Sequence, residues 1–281
     1  MSTGTTYETA ARAFTIELRP WGQFHRYCAI MPDGTKKWLA RVTTILATLN
    51  KEALIPWAIN QAIDACRERI KPGRAYSEGE LEEILEWAKG ASERVKAEAA
   101  GHGTRAHKII ETFLHTGAWP ELEFEHLAVQ NSIALFQEWW TEQRFRVVDL
   151  EAYVADLEMG YGGTVDCLAR DAEGRLVLLD WKTSKAVYPE MELQVIGYGG
   201  AMASMGLGIP DRSLILRIGK EDAEFEVVEV WADIEQARTL YQAWKALVAV
   251  SDWLKKAKAR HDAIKRARLK AAKAGQEVAV A

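Results

Sequence analysis

Cysteine is scarce. The 281-residue chain has three, Cys28, Cys66 and Cys167. They are widely separated and form no CxxC, so neither a disulfide framework nor a zinc knuckle follows from them. Long apolar runs are missing as well, and none reaches the length of a membrane span. Met1-Ser2-Thr3-Gly4 has no basic stretch leading into an apolar one, so no secretory signal is read there. A reducing cytoplasm is the expected home. Positive charge is not in excess either. Lys and Arg number 36 against 40 Asp and Glu, a net charge of −4, so overall charge gives no support to nucleic-acid binding. A local basic patch would still suffice, because the relevant field is local. What is present is ordinary for a globular protein: 48% apolar and 27% charged residues. The length allows one large domain or a core with elaborations.

Along the chain, residues 24–30 and 36–42 read as two strands joined by Met31-Pro32-Asp33-Gly34-Thr35, where Asp33-Gly34 is a hairpin signal. Thr43 or Thr44 is expected to cap a helix carrying Ile45, Leu46 and Leu49. A second helix is expected over 52–70, with Pro56 marking its start or kinking it. Ser77 and Glu80 fit a capping box for a helix reaching about Ala100. Gly101-His102-Gly103-Thr104 is expected to break the pattern, with a new helix over 104–115 and another over 125–143. The period then changes. Residues 146–155, 161–169 and 175–182 read as consecutive strands, and Asp171-Ala172-Glu173-Gly174 as a turn. A helix over 190–205, strands over 212–218 and 224–231, and a long helix from about Ile234 complete the order. This is a helical N-terminal part built onto an α/β core.

The chemistry concentrates at Gly162-Gly163-Thr164-Val165-Asp166 and Leu176-Val177-Leu178-Leu179-Asp180-Trp181-Lys182. Residues two apart on a strand share a side, so Asp180 and Lys182 do, and Asp166 comes from the neighbouring strand. Two carboxylates and an ammonium at the edge of a buried sheet are costly unless paired or bound to an ion. Carboxylates suit Mg²⁺, which keeps several waters. A lysine beside it can position a water or neutralise charge developing on phosphorus. The bland alternative is a surface hairpin with solvated Asp and Lys. Gln194 and Tyr198, four apart on the next helix, share a face. Glu151 on the preceding strand is a further acidic candidate, and His107 can complete a metal shell. Each has a structural reading of its own. His102 and His107 do not have HExxH spacing, which argues against a zinc protease.

In order, the chain carries Gly-Thr-x-x-His at 103–107, Gly-Gly-Thr-x-Asp at 162–166, Asp-Trp-Lys-Thr-Ser at 180–184 and Gln-x-x-x-Tyr at 194–198. This series resembles the PD-(D/E)XK nuclease superfamily, in particular its RecB-like branch and related phage and mitochondrial exonucleases. The segments at Val42-Thr43-Thr44-Ile45-Leu46 and from Lys51 through Leu54 to Trp57-Ala58 are similar, less specifically, to the front end of such proteins. The resemblance implies an α/β, restriction-endonuclease-like fold: a mixed central sheet flanked by helices, with a helical N-terminal region. It implies that Asp166 and Asp180 bind Mg²⁺ or Mn²⁺, with the Trp181 carbonyl a possible third ligand. Asp180 stands where many members carry Glu. Lys182 would be the catalytic lysine and His107 a metal-shell residue, while Gln194 and Tyr198 would orient Lys182 or contact DNA. Three scattered cysteines cannot supply the four that flank the core of iron–sulfur relatives, so no such cluster is expected.

Arg105, Lys108 and Lys185 lie near these motifs and are candidates for gripping a DNA strand. Residues 255–273 hold nine Lys or Arg and one acid. That stretch reads equally as a phosphate-contacting segment or as a solvated helix end. Most of the eleven tryptophans are expected in the core. The expected organisation is residues 1–100 as a β-hairpin and helical region packed on the core, 101–254 as the nuclease core with a C-terminal helix, and 255–281 as a basic tail. The expected activity is Mg²⁺-dependent hydrolysis of DNA by metal-activated water. An exonuclease acting on linear ends is expected, in recombination, repair or phage DNA processing in a bacterial or phage-infected cell. A single-strand annealing protein or helicase is a possible partner, and no membrane is involved. The alternatives are an endonuclease of the same fold, a non-cleaving DNA- or partner-binding protein, or a phosphohydrolase acting on nucleotides.

Overall fold

The computed structural model describes residues 5–7, 14–21, 24–49, 54–123, 125–218 and 225–279. Strands β1 (Thr5–Tyr7), β2 (Phe14–Trp21), β3 (Phe24–Ile30) and β4 (Lys36–Arg41) form an antiparallel run. The hairpin between β3 and β4 turns at Gly34, whose φ of 81° costs an L side chain strain that glycine avoids. Strand β6 (Tyr161–Arg170) is the hub of the sheet. Along one edge it pairs antiparallel with β5 (Arg146–Asp156). On its other edge two strands divide its length. β4 runs parallel to its start, Ala40 and Arg41 opposite Tyr161 and Gly162. β7 (Leu176–Lys182) runs antiparallel to its end, from Cys167 opposite Leu179 to Arg170 opposite Leu176. Residues 163–166 therefore have no ladder partner on that edge among the described residues, and the sheet forks there. β8 (Arg212–Ile218) continues parallel to β7, and β9 (Phe225–Trp231) closes the order antiparallel to β8.

The near-continuous apolar run of β7 is what a strand buried on both faces requires. Val177, Leu178 and Leu179 are fully buried. One face, with Leu178 and Ile215, packs under α1 (Val42–Leu46), α6 (Pro189–Ser204) and α7 (Ile234–Ala279). The other, with Leu179 and Trp181, packs under α4 (Ala91–Thr116) and α5 (Leu127–Gln143) through Ile110, Ile133 and Phe136. This is the mixed α/β sheet flanked by helices that the sequence leads one to expect. Helices α2 (Leu54–Arg69) and α3 (Glu78–Lys89) meet α4 in a small satellite cluster of Ala65, Ala88 and Ala91. No helix among the described residues is long and apolar enough to cross a membrane.

Several local expectations hold. Ser77 and Glu80 form a reciprocal capping box, Pro56 sits in the first turn of α2 without kinking it away, and Gly174 (φ 81°) makes the β6–β7 turn. Others need correction. Thr43 and Thr44 do not cap α1. They lie inside it, because β4 stays paired to Gly162 through Arg41 and passes straight into the helix. The helix expected to end near Ala100 instead stops at Gly90, and the next runs unbroken from Ala91 through Gly101-His102-Gly103-Thr104 to Thr116. Two glycines cost about 1 kcal/mol each in a helix. The alanines before them and the buried face of Ala106, Ile109 and Ile110 outweigh that. β1 and β2 add two strands ahead of residue 24, where none was expected, although β2 alternates apolar and polar residues from Phe14 to Arg19. The basic stretch after Trp253 continues α7 to Ala279 without a break. Lys51, Glu52 and Glu224 lie outside the described residues.

α6 approaches its neighbours closely through glycine. A Cβ at Gly197 would stand 2.8 Å from the fully buried Trp244 ring. Gly197→Ala gains up to about 1 kcal/mol of helix propensity but overpacks a site that cannot yield, at about 1–3 kcal/mol. The expected net outcome is a loss of stability in urea denaturation; an unchanged or raised midpoint would contradict this packing.

Candidate active site

The site forms where the sheet forks. Continued one residue past Cys167–Leu179, the β6–β7 register sets Asp166 opposite Asp180. The β5–β6 register, between Leu150–Cys167 and Ala152–Val165, sets Glu151 opposite Asp166. Opposed residues of antiparallel strands point to the same side. Glu151, Asp166 and Asp180 therefore form one row across three adjacent strands. Lys182 lies two residues beyond Asp180, and its ammonium sits against Asp180 Oδ2 as an ion pair. Asp166 Oδ2 accepts a hydrogen bond from the Trp181 backbone N–H at 3.0 Å, which ties the two strands together where their ladder ends.

Asp180 is 1% exposed, so the bland picture of a solvated surface hairpin does not apply. Neither of its carboxylate oxygens has a hydrogen bond of good geometry among the described residues. Burial raises its pKa to about 6, against the opposing pull of Lys182 and with a further push from Asp166. Burial also raises Asp166, opposed by Lys182 and the Trp181 N–H. For Lys182, burial works to lower the pKa, but Asp180 and Asp166 outweigh it and hold the ammonium above its ordinary value. Lys182 is thus a cation at neutral pH, a form that can supply charge or a proton but cannot accept one.

Glu151 is half-buried, and burial followed by Asp166 and Glu111 raises its pKa to about 7. Its backbone is left-handed, φ 50°. A non-glycine residue held there costs of order 1–3 kcal/mol and persists only where its surroundings impose it. Here the paired residues on either side do so.

Helix α4 contributes His107 and Glu111, four apart on one face. His107 lies edge-on to Trp181, with ring centroids 6.4 Å apart, and its field acts on Asp180. Because α4 is unbroken, both side chains ride one rod rather than a helix start. Glu111 had no role in the sequence reading, although its i+4 spacing from His107 was the available signal. α6 contributes Tyr198 and Gln194. Tyr198 is buried and its hydroxyl accepts from Gln194 Nε2 at 2.7 Å. A Cβ at Gly163 would stand 2.4 Å from the Tyr198 ring, so the glycine lets the phenol reach the fork. Burial, then the Asp180 and Asp166 charges, push the Tyr198 pKa well above its usual value, so the phenol stays protonated. Two steps before Asp166, Thr164 Oγ1 meets the Tyr27 hydroxyl at 2.7 Å, another contact that spacing could not foretell.

Of the expected residues, the structure brings together Glu151, Asp166, Asp180, Trp181, Lys182, His107, Gln194 and Tyr198. Lys108 is exposed, ion-paired to Glu111 at 2.9 Å, and its charge reaches Glu151. Arg105 is exposed and bound to Glu125. Lys185 is exposed on the segment between β7 and α6. Among the described residues, no three His, Cys, Asp or Glu side chains converge tightly enough to cage an ion by themselves. The donor types nevertheless fit a hard cation. Mg²⁺ is commonly held by one or two carboxylates with water completing its shell, and of the Asp180 carboxylate the Lys182 ammonium engages only Oδ2.

A sequence profile of the PD-(D/E)XK nuclease superfamily matches residues 61–276, which include every residue of this site except Tyr27. No curated protein matches the chain. Among solved structures, the chain is similar to SSO0001 at 13% identity and a TM-score of 0.27, covering 45% of this chain and 62% of that one. It thus spans less than two thirds of that protein's length. It is also similar to the alkaline exonuclease LHK-Exo from Laribacter hongkongensis, at 17% identity and a TM-score of 0.28, covering 56% of this chain and 85% of that one. The same exonuclease in complex with dAMP gives 18% identity, a TM-score of 0.27 and the same coverages.

The raised pKa of Glu151 has a consequence for stability. The native state holds this proton more tightly than the unfolded chain does. Stability is therefore greatest below the ordinary value and falls as pH rises from about 4.5 toward 7. Glu151→Gln removes that loss. In EDTA, the variant is expected to be more stable than the parent at pH 8 by about 1–2 kcal/mol after allowance for solvent screening, with the difference shrinking toward pH 4. Urea denaturation at both pH values measures this; equal pH slopes would remove Glu151 from the carboxylate row.

Proposed function

The chain belongs to the PD-(D/E)XK nuclease superfamily, and on that premise we propose that it is a divalent-metal-dependent deoxyribonuclease of the RecB-like or phage-type kind, acting as an exonuclease on linear DNA. One observation carries the reading: Glu151, Asp166 and Asp180 stand in one row with the Lys182 ammonium against Asp180. Asp166 and Asp180 would hold Mg²⁺ or Mn²⁺, with Glu151, His107 and the Trp181 carbonyl as further candidates. A bound divalent cation supplies charge neutralisation at the phosphate and lowers the pKa of a bound water.

The reaction forms a bond from water oxygen to phosphorus and breaks the bond from phosphorus to the 3′-oxygen, which takes up a proton. Lys182, cationic at neutral pH, would offset negative charge gathering on the phosphate oxygens. The Trp181 N–H would hold Asp166 in place while the charges shift. Tyr198, anchored by Gln194 and kept protonated, would fix the side of the site nearest α6. Lys108 and Lys185 are candidates to grip the strand. Arg105 could join them by exchanging Glu125 for a phosphate. DNA processing in recombination, repair or phage growth, and work beside an annealing protein or helicase, belong to the same proposal, as does a cytoplasmic setting.

Linear and relaxed circular DNA incubated with Mg²⁺ or with EDTA test it. Loss of linear DNA alone, abolished by EDTA, is the expected result. Cut circles would mean an endonuclease, and DNA bound but uncut would mean a binding protein. Lys182→Ala is expected to lower cleavage by about 10²–10³-fold or more with an unchanged circular-dichroism spectrum; an active variant would remove the lysine from the chemistry.

A further inference from the structure

A second feature lies outside the carboxylate row. A cleft of about 400 Å³ opens between the β3–β4 hairpin, the β5–β6 turn and α7, lined by Trp21, His25, Arg26, Arg41 and Lys255 among others. Its lining carries three cations, Arg26, Arg41 and Lys255, against one acid. The one acid there, Asp252, is ion-paired to Lys256 at 4.0 Å. Arg41 Nε is buried and has no hydrogen-bond partner among the described residues. A buried donor left in that state is costly, and Arg41 forms part of the cleft wall.

Trp21 of the cleft lining stands in solvent, with Trp38 in contact beside it. Trp21 is 51% exposed and Trp38 38%. Their ring centroids are 5.2 Å apart, edge to face, and the Arg26 guanidinium lies 4.7 Å from one and 5.7 Å from the other. Exposed indoles beside a guanidinium, opening onto a cationic cleft, combine the two things that hold an unpaired strand: flat faces for bases and charge for the backbone. Duplex bases are already stacked and have no free face to offer.

The placement relative to the carboxylate row is also fixed. Arg41 pairs with Gly162 on β6, four residues before Asp166, which is about 13 Å along the strand. The Tyr27–Thr164 hydrogen bond ties β3 to the same stretch. Trp21, Arg26, Trp38 and Arg41 all precede residue 61, outside the span matched by the superfamily profile.

We propose that this cleft is a binding site for single-stranded nucleic acid, with a backbone phosphate taken by Arg41 and Lys255 inside and a base stacked on Trp21 or Trp38 at the rim. It rests on the nuclease reading only in naming the strand as one that continues to the carboxylate row. Binding by the cleft does not require cleavage.

The test is fluorescence anisotropy with a labelled single-stranded oligonucleotide and a blunt duplex of the same length, in EDTA. The proteins are the full chain, Trp21→Ala/Trp38→Ala, and Lys255→Ala. The double variant is expected to weaken single-strand binding by about 10-fold or more. Lys255→Ala is expected to reduce the salt slope by about one. Duplex binding should change little. Trp21→Phe/Trp38→Phe, which keeps flat rings, should recover most of the loss. Unchanged single-strand affinity in the double variant, or equal losses for strand and duplex, would overturn the proposal. Hydrolysis of a small aryl phosphodiester with Mn²⁺ separates it from the nuclease reading. Cleft variants should retain that activity while Lys182→Ala loses it. If no protein hydrolyses the diester but the cleft variants still lose strand binding, the nuclease reading fails and the cleft stands.

Discussion

Burying a carboxylate beside an ammonium is the constraint that organises this molecule. Asp180 ends an apolar strand packed on both faces, and its carboxylate is almost wholly shielded from solvent. Desolvation of that size is tolerated only next to a counter-charge, and a buried pair is weak evidence for stability by itself. Lys182 supplies the counter-charge, yet the carboxylate oxygens still lack hydrogen bonds of good geometry and the acid titrates near 6. The site therefore stores an electrostatic deficit. Glu151, held in a left-handed backbone and pushed to about 7, adds to it. The charge such a set carries is of the kind that an added cation would offset.

The fork in the sheet is what makes the deficit possible. Because β4 and β7 divide one edge of β6, the residues between them are released from the ladder. Asp166 stands at that release point and takes its hydrogen bond from Trp181 rather than from a regular partner. The space beside it is filled from α6 by Tyr198, which Gly163 admits, and from α4 by His107 and Glu111. The same edge leads back through Gly162 to Arg41 and Thr164 to Tyr27. The N-terminal strands are thus continuous with the sheet that bears the carboxylates.

Much of this was legible along the chain. The β3–β4 hairpin announced itself through Asp33-Gly34, the capping box through Ser77 and Glu80, and the three central strands through their change of period. The acid–lysine grouping stood out because charges interrupt an apolar strand. What failed did so for local reasons. Gly101 and Gly103 look like a break, yet packing of Ile109 and Ile110 carries α4 through them. Thr43 and Thr44 look like caps, but strand pairing at Arg41 leaves no room for a capping turn. β2 alternates apolar and polar residues from Phe14 to Arg19, a strand period that the expectations above left unused.

By itself the sequence determined which residues carry charge into the interior and the order in which strands and helices follow one another. Both are short-range properties, set by side-chain chemistry and by periods of 2 and 3.6 residues. Tertiary structure decided the rest. The alignment of Glu151 with Asp166 and Asp180 depends on the register of two strand pairs. The arrival of Glu111 and the seating of Tyr198 against Gly163 depend on how α4 and α6 pack. Trp21 and Arg41 line one cleft with Gly160 and Lys255 only because β4 joins β6, 121 residues further along the chain at Ala40 and Tyr161, so long-range pairing rather than spacing brings them to the same place.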